Sequence, residues 1–457
     1  MKTRKNASTG IVALMPVLGP NVLGRLGENL SRQSTLRKQT MKMLPKAFGR
    51  KCSQALICLA AFSLFTATWL LAQTPTVRIT TEIDNSQRTT IPGTRSPMAG
   101  PKIDAGQVPP GMMLHGISIV FRRSGVQEAG LQALIAAQQN AASPLYHKWL
   151  SPDEFAARFG VAASDIAKVE SWLEEEGFSV DGVSRSRNRV SFSGTAGQVA
   201  ASFGTHLHFY NTDAKKYYAP STDIAVPMAL SPLVQTVTNL SSFRPKPHVK
   251  VVTRFTSSQS GSHFLTPKDV ATIYDINPAY TAGYTGSGQS IAAVGQSSIS
   301  VSDIENFQSA AGLTIKAPTL VLVPNSGSAA VSSGDEVESD LDLEYSGGIA
   351  TGATIYFVHV GSNSNYSVWD SLNYAVDTRI TPIISTGYGD CETDLGSSDY
   401  ATLNAVLEQA ATQGQSVIAA AGDDGSTDCY EDTDLTTSQM EADCEWNYRK
   451  LLERLSR

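Results

Sequence analysis

"EVESDLDLEYSGGIATGATIYFV", residues 336–358, joins two patterns: five carboxylates in its first nine positions, with Asp335 just before them, and then an apolar run that ends in strand-forming residues. On a helical wheel Val337, Leu341 and Tyr345 form an apolar stripe. Glu338 and Asp342 border it on one side, and Glu336, Asp340 and Glu344 border it on the other. Both acidic rows have i,i+4 spacing, at which like charges repel. Periodicity alone does not say which row, if either, has a task, and an exposed acidic helix is the plain alternative. The strand that follows, "TIYFVHV" (354–360), belongs to a series: "SIAAVGQ" (290–296), "TLVLVP" (319–324), "PIISTGY" (382–388) and "SVIAAAGD" (416–423). Helical patterns lie between them in "SDIENFQSAAG", in the acidic stretch, in "VWDSLNYAVDT" and in "YATLNAVLEQAATQG". Apolar strands separated by amphipathic helices specify an α/β fold with a parallel, doubly wound sheet. Its functional site is expected beyond the carboxyl ends of the strands, where Asp423 sits.

The preceding part has different grammar. Residues 110–243 read as an α+β domain on the scale of a split βαβ unit, of ferredoxin-like type. "HGISIVFRR" alternates like a strand, and "SPDEFAARFG" offers Ser151 as N-cap, Pro152 at the first helical position, Glu154 to complete a capping box and Gly160 as a stop. "SDIAKVESWLEEEGF" repeats that grammar from Ser164, and "GTAGQVAASFG" gives a third helix after the strand-like "NRVSFSG". Residues 73–109, rich in Thr, Pro, Ser and Gly, show no hydrophobic period and read as a flexible leader. Residues 244–262 are basic and Pro-rich, then Ser-rich, and read as an exposed linker. The C-terminal half is then 263–437, with an atypical tail at 438–457.

The formal charge of −6 over 457 residues hides a segregation. Residues 1–54 hold eleven Lys or Arg against one acid, Glu28, whereas residues 263–448 hold 26 Asp or Glu against Lys268, Lys316 and Arg379. An acidic domain of this kind repels itself at neutral pH and is relieved in acid, which favours an acidic workplace and argues against nucleic acid as a partner. The apolar run Ala55–Ala72 follows Lys46, Arg50 and Lys51 and reads as a secretory signal cleaved after Ala72. The alternative is a membrane anchor, since the run is just long enough to span. Forty residues are too many before a signal, so Met41 or Met43 is the better start. Cys391, Cys429 and Cys444 then remain, which suggests one disulfide and one leftover thiol in an exported protein.

"ESDLDLEYSGGIATGATIYFV" resembles the catalytic-helix segment of the sedolisin family, the serine-carboxyl peptidases. "LSPDEFAARFG", "WLEEEGFSV", "VSFSGTAGQVAASFGTHLHFY", "YYAPSTDIAVP" and "FRPKPH" resemble that family's activation prodomain, an intramolecular inhibitor and chaperone. "FLTPKDVATIYDINPAYTAGYTGSGQSIAAVGQSSI" resembles the start of the mature enzyme. The resemblance runs over about residues 110–434, and several motifs in one order are more specific than any one alone. It implies a subtilisin-like fold and an acid-acting endopeptidase for protein or peptide substrates. It places the catalytic Glu on Glu338, the catalytic Asp on Asp342 and the oxyanion Asp on Asp423. A carboxylate base, with a reference pKa near ~4, suits acidic media. The other acidic row is expected to be solvated surface. Cys391 and Cys429, each following a strand end, are expected on the active-site rim, where a bridge would brace the loop after Asp423.

The family's nucleophile lies in a G-T-S motif downstream of the oxyanion Asp, with a calcium site further on. No G-T-S and no G-x-S-x-G occurs in the chain, and after about Thr437 the sequence no longer resembles the family. The expectation is therefore an enzyme by family whose chain lacks the Ser and the calcium site. The alternative is a noncatalytic secreted pseudopeptidase or binding module. "GDDGSTDCYEDTD" lacks the spacing of an EF-hand and reads as a polar loop. "GYTGSGQS" precedes a strand, the wrong order for a phosphate loop. The seven His show no ligand spacing. No stable membrane insertion is expected.

Overall fold

The computed structural model describes residues 75–212, 215–247, 265–390 and 392–422, with Glu392 and Thr393 as backbone only. The N-terminal half runs β1 (Arg88–Thr90), β2 (Asp104–Gln107), β3 (Met113–Phe121), α1 (Gly125–Gln139), α2 (Pro152–Phe159), α3 (Ala163–Glu175), β4 (Ser179–Val183), β5 (Arg189–Thr195), α4 (Ala196–Phe203), β6 (Leu207–Asn211), β7 (Lys216–Pro220), β8 (Ala225–Pro227), β9 (Val234–Thr238) and β10 (Lys246–Pro247). Its main sheet is antiparallel in the order β4-β5-β3-β9. Ile117, Ile119, Phe192, Trp172 and Phe203 fill the core between this sheet and the helices. Trp172 is 2% exposed, meets Phe203 edge-on and donates from Nε1 to Asn85 Oδ1 at 2.9 Å. Trp172→Ala is therefore expected to cost about 3–5 kcal/mol, read as a lower urea midpoint for this half.

The capping box at Ser151–Glu154 forms, with Pro152 opening its helix and Gly160 ending it, and α4 opens on a further box at Thr195–Gln198 that the sequence reading did not name. The third helix departs from its local grammar. It starts at Ala163 with Ala162 as cap, which leaves Ser164 inside the first turn. Asp165, fully buried there, instead accepts the backbone N–H groups of Arg78 and Ile79 at 2.7 and 3.1 Å, so a tertiary contact sets this helix start.

That contact also corrects the reading of residues 75–109 as a flexible leader. The stretch lies along the N-terminal half: β1 pairs antiparallel with β8, and Ile79, Ile91 and Ala99 are buried. It contributes single apolar residues to a core built elsewhere, so no local period betrays it. Arg244–Pro247 likewise differ from an exposed linker. Arg244 donates to the carbonyls of Asn363 and Ser364, and β10 is hydrogen-bonded in a sheet.

The C-terminal half continues with α5 (Pro267–Ile273), α6 (Asn277–Thr281), β11 (Ser290–Gly295), α7 (Val301–Ala310), β12 (Thr319–Leu322), α8 (Ser333–Ile349), β13 (Thr354–His359), α9 (Val368–Asp377), β14 (Ile383–Thr386), β15 (Tyr388–Gly389), α10 (Glu392–Thr412, bent at Gly396) and β16 (Ser416–Ala419). The sheet is parallel in the order β12-β13-β11-β14-β16. Successive side chains face opposite ways. Ala292, Val294, Val358 and Ile384 therefore pack with α9 and α10, while Ala293, Ile355 and Phe357 pack with α7 and α8. Both faces are covered, as the apolar strand runs require, and the chain order reverses direction beside β11, between β13 and β14.

Candidate active site

The carboxylate helix α8 does not bury the stripe that its apolar residues draw. Val337 and Leu341 remain 43% and 39% exposed, while Glu338 is 3% exposed and Ser339 1%. The packed row is Ser339, Leu343 and Gly347. Gly295 approaches Ser339, Leu343 joins the core around Phe357, and Gly347 lies against Ile355. Two of these three are small residues that a wheel does not count as apolar, and the packed row lies two positions on from the expected stripe, toward the opposite side of the helix. That placement carries Glu338 inward.

Glu338 and Asp342 stand one helical turn apart, and the same residue touches both. The backbone N–H of Gly387, directly after β14, donates to Asp342 Oδ2 at 3.2 Å. A Cβ on Gly387 would lie 1.7 Å from Glu338 Oε1. The pair thus sits at the carboxyl end of a central parallel strand. Burial pushes the Asp342 carboxyl up to about 7, against the opposing pull of the Gly387 N–H.

The entry to α8 is pinned. Asp335 accepts from Gln296 Nε2 at 2.8 Å and from Ser332 Oγ at 2.7 Å, and its carbonyl accepts from Tyr388 Oη at 3.2 Å. Gln296 Nε2 also donates to the carbonyl of Pro245 at 2.9 Å. Here β10 pairs antiparallel with β15, Lys246 opposite Gly389 and Pro247 opposite Tyr388. The segment that ends the N-terminal half therefore lies along the strand next to Gly387.

The family model of the pro-kumamolisin activation domain matches residues 102–243. Kumamolisin of Bacillus sp. (strain MN-32) is 28% identical over 363 residues, covering 76% of this chain and 64% of its own. Sedolisin of Pseudomonas sp. (strain 101) is 29% identical over 314 residues, 66% of this chain and 53% of its own. The chain is similar to the sedolisin family. Xanthomonalisin of Xanthomonas sp. (strain T-22) is 27% identical, covering 71% of this chain and 41% of its own, so the chain spans about two fifths to two thirds of these relatives. A solved structure of Pseudomonas sedolisin, a serine-carboxyl proteinase complexed with two molecules of pseudo-iodotyrostatin, is 23% identical with a TM-score of 0.29 and covers 33% of this chain and 42% of its own.

The residues expected from the resemblance divide as follows. Glu338 and Asp342 are brought together, whereas Asp423, Cys391 and Cys429 lie outside the described residues. The strand leading to Asp423 is in place: β16 pairs with β14, and Ala420 N donates to Thr386 O at 3.0 Å. The other acidic row is not solvated surface, because Glu336, Asp340 and Glu344 are each half-buried. Burial, Glu336 and Asp303 push Asp340 up to about 6, and burial, Asp340 and Asp303 push Glu344 up to about 7. Sequence reasoning missed Gly387, Gln296 and Tyr388. A glycine immediately after a central parallel strand, in "STGYG", was the available signal for the first.

Proposed function

We propose that the protein is the zymogen of an exported, acid-acting serine-type endopeptidase, with Glu338 as general base, Asp342 as its orienting partner and Asp423 as oxyanion donor. The observation that carries this reading is the shared contact of Gly387 with Glu338 and Asp342 at a strand's carboxyl end. In acid Asp342 is neutral and has a proton to donate, while Glu338 is placed to receive one from a nucleophile. Asp423, kept protonated, would hydrogen-bond the tetrahedral oxyanion. The Ser nucleophile was not found in this sequence, so the base acts only in a chain that carries one. The N-terminal half serves as inhibitor, with β10 occupying the strand position beside the pair. A Cys391–Cys429 bridge would brace the rim. The apolar run Ala55–Ala72 supports export, and among the described residues no helix is long and apolar enough to cross a membrane.

Calcium, which the family implies, does not fit the carboxylates among the described residues. Asp303, Glu336 and Asp340 bring one oxygen each within 4.8 Å of one another, three of the six to eight that calcium takes, and Asp303 is exposed. The test is self-processing. A chain continued in frame through a G-T-S segment should cut itself on acidification, giving a mature N-terminus within residues 248–262 by Edman sequencing. A first residue before Arg244 or after Pro267 would count against the reading.

A further inference from the structure

Residues 75–101 precede the stretch that the family model matches, yet they bridge both halves. After β1, Ile91 N donates to Ile224 O at 2.8 Å, and the chain then turns on the carboxylate of Asp223. Asp223 accepts the N–H groups of Gly93, Thr94 and Arg95 at 3.2, 2.9 and 2.8 Å, while Thr94 Oγ1 receives the N–H of Ile224 at 2.9 Å. Ala99, fully buried beside Tyr210 and Ala219, fixes the far end. The segment held between these points meets α10 at its bend. Gly396 has φ +73, and a Cβ there would lie 3.2 Å from Pro97 Cδ. Gly93 has φ +77, and a Cβ there would lie 2.2 Å from Ser397 Oγ. Two glycines with left-handed backbone thus let the two chains approach where side chains would hold them apart. A cavity of about 130 Å³ of mixed polar and apolar lining borders Gly93, with Thr94, Arg95, Asp370 and Leu403 in its wall.

We propose that residues 91–99 are a clamp: shaped by Asp223, they grip the bend at Gly396 and hold the two halves together independently of the covalent connection through residues 248–264. The clamp rests on the reading of the N-terminal half as a pro-unit that must leave. It implies that cutting the connection does not by itself release that half. The halves also meet where Asp377 accepts the N–H groups of Arg185 and Ser186 at 2.7 and 2.9 Å, so the clamp adds to an interface rather than making it alone.

The test needs no peptidase activity. A recognition sequence for a site-specific protease is placed in residues 252–260 of the full chain, the chain is cut there, and separation of the fragments is followed by size exclusion. Uncut samples are first checked by thermal melting. The cut wild-type fragments are expected to co-elute, and Asp223→Ala is expected to speed their separation at least tenfold. Ser397→Trp, a change at an exposed position on the other side of the contact, should do the same with the arm intact, and it decides the matter where Asp223→Ala fails to fold. Hydrogen exchange should show faster loss of protection at 93–95 and 396–398 together. Immediate separation of the cut wild type, or wild-type rates in the variants, would overturn the clamp and leave the active-site reading untouched. An inactive Glu338→Gln chain leaves the clamp untouched.

Discussion

Glu338→Gln is expected to abolish peptide hydrolysis in a chain that carries a nucleophile, while Glu336→Gln keeps activity within about twofold. The two residues are two positions apart on α8, so this contrast reads the helix face directly. Glu338 is 3% exposed and lies against Gly387, whereas Glu336 is half-buried beside Asp340 and Asp303. A glutamine at 338 retains the shape and cannot take a proton, and losing one member of a serine-peptidase triad removes several orders of magnitude in turnover. At 336 the change only relieves repulsion on Asp340. Gly387→Ala should imitate the loss while both carboxyl residues are kept. Its methyl would fall on Glu338 Oε1, and a displacement near 1 Å at reacting groups costs on the order of 10²-fold. Overpacking adds about 1–3 kcal/mol of lost stability. Rates on a quenched-fluorescent peptide at acidic pH, with urea midpoints measured alongside, separate these effects. Equal losses from Glu338→Gln and Glu336→Gln would mean that the inward face has been misidentified.

The parallel sheet was legible because its inner strands β13, β11 and β14 are packed on both faces and, like the more exposed edge strands β12 and β16, read as apolar runs, from "SIAAVGQ" to "SVIAAAG". The helix at Pro152–Phe159 was legible because Ser151–Glu154 close their box within four residues. What stayed hidden depends on contacts distant in sequence. The inward turn of α8 rests on Ser339 and Gly347, which carry no hydrophobic signal. The packing of residues 75–109 rests on lone residues such as Ile79 entering a remote core. Gly387 acts through a backbone N–H and an absent Cβ, and neither has a side-chain signature. Periodicity left both acidic rows open, and only the resemblance to the family chose Glu338 and Asp342.

The C-terminal half is expected to become more stable as pH falls from 8 toward 5. Asp342 is pushed up to about 7 by burial, Glu344 to about 7 by burial with Asp340 and Asp303, and Asp340 to about 6 by burial with Glu336 and Asp303. Their unfolded values lie near ~4. Between about pH 7 and 4 the folded state therefore holds protons that the unfolded chain has released, so stability is gained on acidification and lost as pH rises through about 7. Each tenfold difference in proton affinity between the folded and unfolded states is worth about 1.4 kcal/mol. The three groups share one helix and are only partly buried by surface area, so a combined gain on the order of 2–4 kcal/mol is expected rather than the sum. The N-terminal half has the opposite slope. Hydrogen bonds from Arg185 hold Asp153 below the usual carboxylate range, those from Ser151 do so for Glu154, and those from Gly106 and His208 do so for Asp104. Those contributions are present at neutral pH and fade as pH falls below about 4. Acid thus strengthens the half that carries the carboxylate pair and loosens the half that covers it, with both near their best between about pH 4 and 6. Thermal melts of the full chain from pH 3 to 8 would show the midpoint rising from pH 8 to 5, and Asp342→Asn would flatten that rise, since an amide stays neutral throughout. A midpoint that falls steadily from pH 8 to 5 in the unmodified chain would show that these carboxyls are ionised in the folded protein.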